Sequence, residues 1–452
     1  MAVDSIIENV EGEQTRDTGS IGVAGARERL LPNIISNIAY MALSIVANFL
    51  LTPFLIGHLG IAAYGMIPLV STITSYMAVV TSALDTSVAR FLTIDLTHGD
   101  IPTANRTFNA AFFGILGMAA ILGVIVAVVA VFFPVLFNVP ESSEGDVSWL
   151  FVTVSAGFLI SVIGGVFAIA PFIHSRFTAY NLSNIAGLLV RVALTVVLFL
   201  ALPARLWYSG GGSLVGSIVS AVIFFFLWRK LTPELKINIR NFDRARLFVL
   251  FSMGGWVIVN TAGAMLLSRV DLIVVNAFYG AAMTGAYGSV AQLSTLMDSL
   301  VTAVSSVLRP VMLIKFSEGD IEGLKRVSII SVKLLGFALA LPAGLLAGLS
   351  SPILKMWLGP SFQYLSPLVI ILVSHFGFNY SVRPLLYVQN AYNKVRWPGI
   401  ATLAAGILDL ILAVIVAKYT NLGYLGVALA GVLVWTLKNS VYMPIYTARI
   451  MH

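Results

Sequence analysis

YGMIPLVSTITSYMAVVTSALDTSVARFLTIDLTHGDIPTANR, residues 64–106, carries four landmarks that return in the second half of the chain. Tyr64-Gly65, Ser87-Val88-Ala89-Arg90, Gly99-Asp100-Ile101 and Arg106 are answered by Tyr287-Gly288, Ser306-Val307-Leu308-Arg309, Gly319-Asp320-Ile321 and Arg326. The order is the same and each copy lies roughly 220 residues further on. One such match would be noise. Four in register imply two homologous halves of about two hundred residues, with small insertions confined to loops.

The solvent of these halves follows from composition. Apolar residues make up 58% of the chain and charged residues 10%, against about a quarter charged in a water-soluble domain, so the protein crosses a membrane many times. With no cysteine, a disulfide framework, a thiolate metal site and a thiol nucleophile are all excluded. Apolar runs of about spanning length lie near 33–56, 62–84, 107–131, 147–171, 181–203, 206–228, 250–277, 283–308, 327–349, 365–387, 397–417 and 422–446. The expectation is an all-α integral membrane fold of twelve transmembrane helices in two parallel six-helix repeats, related by an axis along the membrane normal.

Residues 1–29 are polar and acidic, lack the basic start and apolar core of a cleavable signal, and read as a disordered cytoplasmic tail. The first lobe is expected over 30–228, a basic cytoplasmic linker over 229–246 and the second lobe over 247–452. Orientation follows from Lys and Arg. If the N-terminus is cytoplasmic, the tails and even-numbered loops hold most of the 27 basic residues, while the odd-numbered loops hold only Arg205, Lys355 and Lys418. That bias places both termini in the cytoplasm and the protein in the cytoplasmic membrane. It also explains the +7 formal charge as topology and contact with lipid headgroups, with no nucleic-acid partner implied.

An enzyme is hard to build from this chain. The longest odd-numbered loop, Pro134 to Asp146, is too short for a catalytic domain, and no Gly-x-x-x-x-Gly-Lys-Ser/Thr loop is present. The five histidines are scattered, so no metal site is expected. A membrane glycosyltransferase using an acidic loop near the bilayer stays as the opposing class.

The polar residues inside the spans carry the functional reading. Asn33, Asn37, Ser44, Asn48 and Thr52 recur at steps of four and seven, placing them on one face of the first helix. Gln292, Thr295, Asp298, Thr302, Ser306 and Arg309 form a second stripe, and Asn260, Ser268 and Asp271 share a face with Arg269 beside it. Interhelical hydrogen bonding could account for single residues at about 0.6–2 kcal/mol each, but whole stripes point to a water-filled central cavity. Arg191 and Asp409 lie about ten residues from either end of their helices, hence roughly 15 Å from water on both sides. They stand at matching depth in the two halves and are expected to superpose, as are Arg90 and Arg309. Such charges cost roughly 2.5–3.5 kcal/mol at the bilayer centre, so they mark either an ion pair or a charged cavity wall. Lys333 and Lys438 read as snorkelling, Arg383 as a topology residue at a cytoplasmic end, and His375 with Asn379 as a packed, hydrogen-bonded pair.

With these residues in view the chain resembles the oligosaccharide flippase (polysaccharide transporter, Wzx-like) family. The likeness runs from about Pro32 to Ala448, through Leu59-Gly60 to Tyr64-Gly65, Ser268-Arg269 with Asp271, Gly285 to Gly288, the two Gly-Asp pairs and Gly423 to Gly426. That family belongs to the multidrug and oligosaccharidyl-lipid exporter superfamily. The resemblance implies two six-helix lobes forming a MATE-like V around a central cavity. It also implies an activity of moving polyprenyl-diphosphate-linked sugars from the cytoplasmic to the outer leaflet. Arg191 and Arg269 then offer cations to the diphosphate, while Asn37, Asn48, Asn260 and Gln292 offer neutral partners for sugar hydroxyls. A polysaccharide polymerase or glycosyltransferases would be working partners.

Three transport rivals stay open. A multidrug exporter of the same superfamily would want an acidic, aromatic cavity, and Asp271, Asp298 and Asp409 keep that alternative. A major-facilitator transporter would need a Gly-x-x-x-Asp-Arg-x-Gly-Arg-type pattern that Thr93 to Arg106 lacks. A peptidoglycan-precursor flippase often has 14 helices. All three acids well inside spans fall in the second half, so the coupling site is expected there. Asp409 is taken to bind Na⁺ or H⁺, with Asp271 or Asp298 as second ligand if they converge, and no other cofactor is expected.

Overall fold

A computed structural model describes residues 23–451, in which the regular structure is helical, with no strand among them. The helices are α1 (Val23–Leu59), α2 (Ile61–Thr97), α3 (Ile101–Leu136), α4 (Glu144–Ile173), α5 (Phe177–Ala201) and α6 (Trp207–Leu231) in the first half. The second half holds α7 (Arg244–Ser317), α8 (Ile321–Gly348), the short α9 (Ser350–Trp357), α10 (Ser366–Ser374), α11 (Phe376–Asn379), α12 (Leu385–Ala391), α13 (Arg396–Tyr419), α14 (Gly423–Thr436) and α15 (Met443–Ile450). Among the described residues eleven segments are long and apolar enough to span a bilayer. One of them, 255–317, is divided at Gly280 (φ 78°, ψ −179°) into two arms, which gives the twelve crossings.

Helix α1 starts at Val23, so residues 23–29 of the expected tail are helical; the rest of that tail lies outside the described residues. A bilayer offers no partner for free backbone groups, so breaks between spans fall where a residue can reverse the chain at no steric cost. Gly99 (φ 72°) and Gly319 (φ 69°) do this at the ends of α2 and α7. The aspartate that follows each glycine caps the next helix: Asp100 accepts from the Thr103 N–H at 3.0 Å and Asp320 from the Gly323 N–H at 2.8 Å. Hydrogen bonds from Thr103 hold the Asp100 carboxyl below its ordinary range, and the Gly323 N–H followed by Lys315 does the same for Asp320. The repeated Gly-Asp pair is thus a repeated turn.

The two halves meet tightly on the side away from the linker. There α2 crosses the second arm of α7 at glycines, so that a Cβ on Gly65 would overlap the Ala281 carbonyl and the Gly285 amide, and one on Gly285 would strike the Ile61 carbonyl. The Asn138 side chain donates to the Asn276 carbonyl at 2.7 Å, and the Trp357 indole donates to the Phe49 carbonyl at 2.8 Å while stacking on that ring. These contacts close the far side.

The linker belongs physically to the first lobe. Asn105 and Asn109, one turn apart on α3, each pair through their amide with the extended stretch 234–238. Asn105 binds the Glu234 carbonyl (3.0 Å) and the Lys236 N–H (2.8 Å), and Asn109 binds the Lys236 carbonyl (2.9 Å) and the Asn238 N–H (2.8 Å). Arg246 then pairs with Asp95 at 2.8 Å, so the first turn of α7 is fixed to α2 as well. Leu250, early in α7, is buried in the first-lobe cluster with Phe108. Asn109→Ala removes two half-buried bonds to the backbone of Lys236 and Asn238, and a hydrogen bond of this kind contributes about 0.5–1.5 kcal/mol. A lowered thermal unfolding midpoint in detergent is expected, and an unchanged midpoint would show that water replaces the clamp.

Candidate functional site: a cationic cavity with a carboxylate pair behind it

Between the lobes lies a cavity of about 850 Å³, large enough for a sizeable ligand. The stripes read from the sequence line it. Asn48 and Thr52 come from α1, Arg191 from α5, Asn260, Arg269 and Asp271 from the first arm of α7, and Gln292 and Asp298 from the second arm. Further along that second stripe, toward the linker side, Thr302 and Arg309 are exposed, whereas the Ser306 side chain lies outside the described residues.

Asn37 is a correction, since it stands exposed and off the cavity wall. One turn earlier α1 is tied to the start of α5 by its polar residues: Asn33 donates to the Ser175 carbonyl at 2.9 Å and accepts from Thr178, and Ser36 accepts from Asn181 at 3.1 Å. Asn33 and Ser36 therefore hold α1 in place, and Asn37 points elsewhere.

The polar groups on the wall fall into three sets. In the first lobe the Arg191 guanidinium donates to Asn48 Oδ1 and faces no carboxylate. Arg269 likewise has no ion pair among the described residues. Across the lobe boundary Gln292 donates to Thr52 Oγ1 at 2.7 Å and to the Tyr64 hydroxyl at 2.8 Å, a contact that holds the halves together above the cavity. Nearer the linker side Arg383 pairs with Asp298 at 2.6 Å.

That last pair overturns two expectations. Arg383 lines the cavity rather than serving only as a topology residue, and Asp298 is committed to a cation instead of converging with the other acids. Lys438 departs from its reading too. It lies on the cavity wall in a π-helical turn, Leu437–Tyr442, where the extra residue per turn rotates the side chain inward. Asn379 fastens this turn by donating to Thr436 and accepting from Ser440, and Asn439 donates to the Asn379 carbonyl at 2.9 Å. His375 is buried beside Asn379, as the sequence implies.

Among the described residues Asp409 alone has both of its polar side-chain atoms buried and unpartnered. It is fully buried on α13, and neither oxygen has a hydrogen-bond partner. Asp271 accepts from the Tyr287 hydroxyl at 2.8 Å through one oxygen, and its other oxygen is also unpartnered. The two carboxylates converge over Gly431, where a Cβ would lie 3.3 Å from Asp271 Oδ2 and 3.5 Å from Asp409 Oδ1. Asp409 is thus far from a permanent pair with Arg191, which is held by Asn48 in the other lobe. Among the described residues no third His, Asp or Glu joins the two acids.

Comparison with known proteins now adds a family. Residues 30–314 match the family described as polysaccharide biosynthesis protein. The chain belongs to that family. A relative in Bacillus subtilis strain 168, the uncharacterized membrane protein EpsK, is 31% identical over 418 residues, covering 92% of this chain and 83% of its own. Among solved structures, the inward-facing conformation of a multidrug resistance MATE family transporter of the MOP superfamily has a TM-score of 0.71 at 12% identity, over 92% of this chain and 98% of that one. The lipid II flippase MurJ in an inward closed conformation has a TM-score of 0.64 at 14% identity, over 92% and 87%. This member of the polysaccharide biosynthesis family is therefore a multi-pass membrane protein with the MATE-like fold.

What the sequence did not disclose was partner choice. Nothing in spacing says that Asp298 meets Arg383 rather than Asp271, because the two residues are 85 positions apart, one on α7 and the other in the turn between α11 and α12. A usable signal existed at Lys438, whose neighbours Asn439 and Ser440 are polar where a lipid-facing turn would be apolar.

Proposed function

We propose that the protein is a flippase carrying a polyprenyl-diphosphate-linked oligosaccharide from the cytoplasmic to the outer leaflet of the cytoplasmic membrane. The carrying observation is a cavity between two lobes that is closed on one side and holds two guanidiniums, Arg191 and Arg269, without carboxylate partners among the described residues. A diphosphate supplies the missing counter-charge, and bidentate Arg–phosphate contacts supply the geometry. Asn48, Asn260 and Gln292 offer neutral hydrogen bonds to hydroxyls, and the prenyl tail stays in lipid between the lobes. With the linker side cytoplasmic, the far-side seal of Gly65 and Gly285 makes this an inward-open state. Export then needs that seal to part and the linker side to close.

Family membership and fold support a transporter rather than an enzyme, and the polysaccharide label supports a glycan cargo, for which glycosyltransferases and a polymerase would be neighbours. Asp409 and Asp271 are read as the site of a coupling cation, Na⁺ or H⁺, moved as cargo. Three unpartnered carboxylate oxygens in one buried place fit such an ion. The test is reconstitution in vesicles with a fluorescent polyprenyl-diphosphate glycan in one leaflet. Protein-dependent appearance in the other leaflet is expected. Failure there, together with efflux of organic cations by the same vesicles, would replace the reading with the multidrug exporter.

A further inference from the structure

A second cavity of about 330 Å³ lies inside the first lobe, between α1, α4, α5 and α6. It shares Ser44, Arg191 and Ser213 with the central cavity, so the two spaces meet at the unneutralised guanidinium. We propose that this side chamber is a sugar subsite, which takes the one sugar next to the diphosphate while Arg191 holds the phosphate. The proposal rests on the flippase reading above and adds where specificity for the first sugar is read.

Three observations carry it. The wall carries polar side chains: Ser161, Ser217, Ser220 and Asn184 line it beside Tyr40 and Tyr180. The Ser161 and Ser217 hydroxyls lie 3.0 Å apart and Ser161 also reaches the Gly157 carbonyl at 3.0 Å, so this pair offers oxygen lone pairs, and the donor on the wall is the second Nδ2 hydrogen of Asn184. Asn184 donates to the Tyr180 carbonyl at 3.1 Å, and no described residue binds its Oδ1. A donor, an acceptor and aromatic rings in one recess match a pyranose, which has hydroxyls at its rim and C–H groups on its face.

Size narrows the ligand further. The chamber sits at the low end of small-ligand sites, about 300–1,000 Å³, and at about 30 Å³ per water it has room for roughly ten water-sized groups. That is near the dozen non-hydrogen atoms of a single sugar ring. A longer glycan must therefore stay in the central cavity, with only its phosphate-proximal residue entering the chamber beside Arg191.

Two adjacent glycines provide the test. A Cβ on Gly164 would crowd Ala221 at 2.9 Å, so that glycine is needed for packing, whereas a Cβ on Gly165 meets nothing within 4 Å. Gly165→Leu fills the chamber and leaves the helix contact alone. Binding to purified protein in nanodiscs is measured for a sugar-free polyprenyl diphosphate and for the same lipid carrying one N-acetylhexosamine. The natural chain is expected to bind the glycosylated lipid at least tenfold more tightly. Gly165→Leu should abolish that preference while binding the sugar-free lipid as before, which also reports that the variant is folded. A Ser217→Ala, Asn184→Leu double variant, which adds no bulk at residue 165, should reduce the preference several-fold. Equal binding of both lipids by the natural chain, or equal weakening of both by Gly165→Leu, overturns the chamber and leaves the flippase reading standing. If the natural chain binds neither lipid, the flippase reading falls, and the chamber with it.

Discussion

Arg191→Ala and Arg269→Ala are each expected to reduce export of the lipid-linked glycan by roughly 30-fold to several thousand-fold while the protein still accumulates in the membrane. The magnitude comes from what a buried charge contact is worth: truncating one partner costs about 2–5 kcal/mol, and each 1.4 kcal/mol is a factor of ten. Neither residue is neutralised by the protein, so neither loss leaves an unpaired carboxylate behind, and the fold should tolerate both changes. Arg191→Ala frees only Asn48, which is an ordinary amide that water can satisfy. Lysine at either position should restore part of the activity, because it keeps the charge and loses the planar fork. Initial rates of leaflet transfer in reconstituted vesicles, normalised to protein, measure this. Full activity in both alanine variants would assign the charges to structure.

How far the chain could be read without coordinates depended on whether a residue acts through its own backbone or through a distant partner. Gly99-Asp100 and Gly319-Asp320 were legible as a repeat because each pair makes the same local turn, with Gly in the left-handed region and Asp capping the next helix. Spans were legible because length and apolarity are set by the bilayer. The stripes on α1 and α7 found the cavity, since a helix face is fixed by 3.6-residue periodicity. Periodicity failed at Asn37, where α1 had already turned its polar face to α5, and at Lys438, where a π turn breaks the period. It could not reach the Asp298–Arg383 pair, because that is a choice among helices rather than along one.

The coordinates also add a relation between the lobes. In the first lobe the helix pair α1–α5 meets through Asn48 and Arg191; in the second lobe the pair α7–α13 meets through Asp271 and Asp409. Tyr64 approaches Thr52 at 3.4 Å, and Tyr287 donates to Asp271 in the same relative position. The same scaffold thus presents a cation in one lobe and a pair of acids in the other. An anionic cargo held by Arg191 and Arg269 would then reach α7 two residues from Asp271, so that cargo and a cationic driving ion could each bias the conformation that the other needs.

Asp409→Asn is accordingly expected to abolish the dependence of transport on an imposed Na⁺ or pH gradient. Two full charges roughly 4–7 Å apart repel by about 2–4 kcal/mol at an effective dielectric of ~20, and among the described residues neither acid has an ion pair to relieve the repulsion. A cation shared between Asp271 and Asp409 would relieve the repulsion and draw α7 and α13 together over Gly431, and its departure would drive them apart. That difference is a free energy available to shift the lobes between inward-open and outward-open states. The asparagine variant keeps the size of the side chain and removes one charge, so α7 and α13 stay close whether or not the ion is present. It should therefore be at least as stable as the natural chain to heat, and its transport in gradient-free vesicles should match its transport under either gradient. Asp271→Asn should behave alike, though with the Tyr287 hydrogen bond retained. Asp298→Asn should instead preserve gradient dependence, because its carboxylate already answers Arg383. If Asp409→Asn transports as well as the natural chain and still responds to the gradient, Asp409 has no part in coupling.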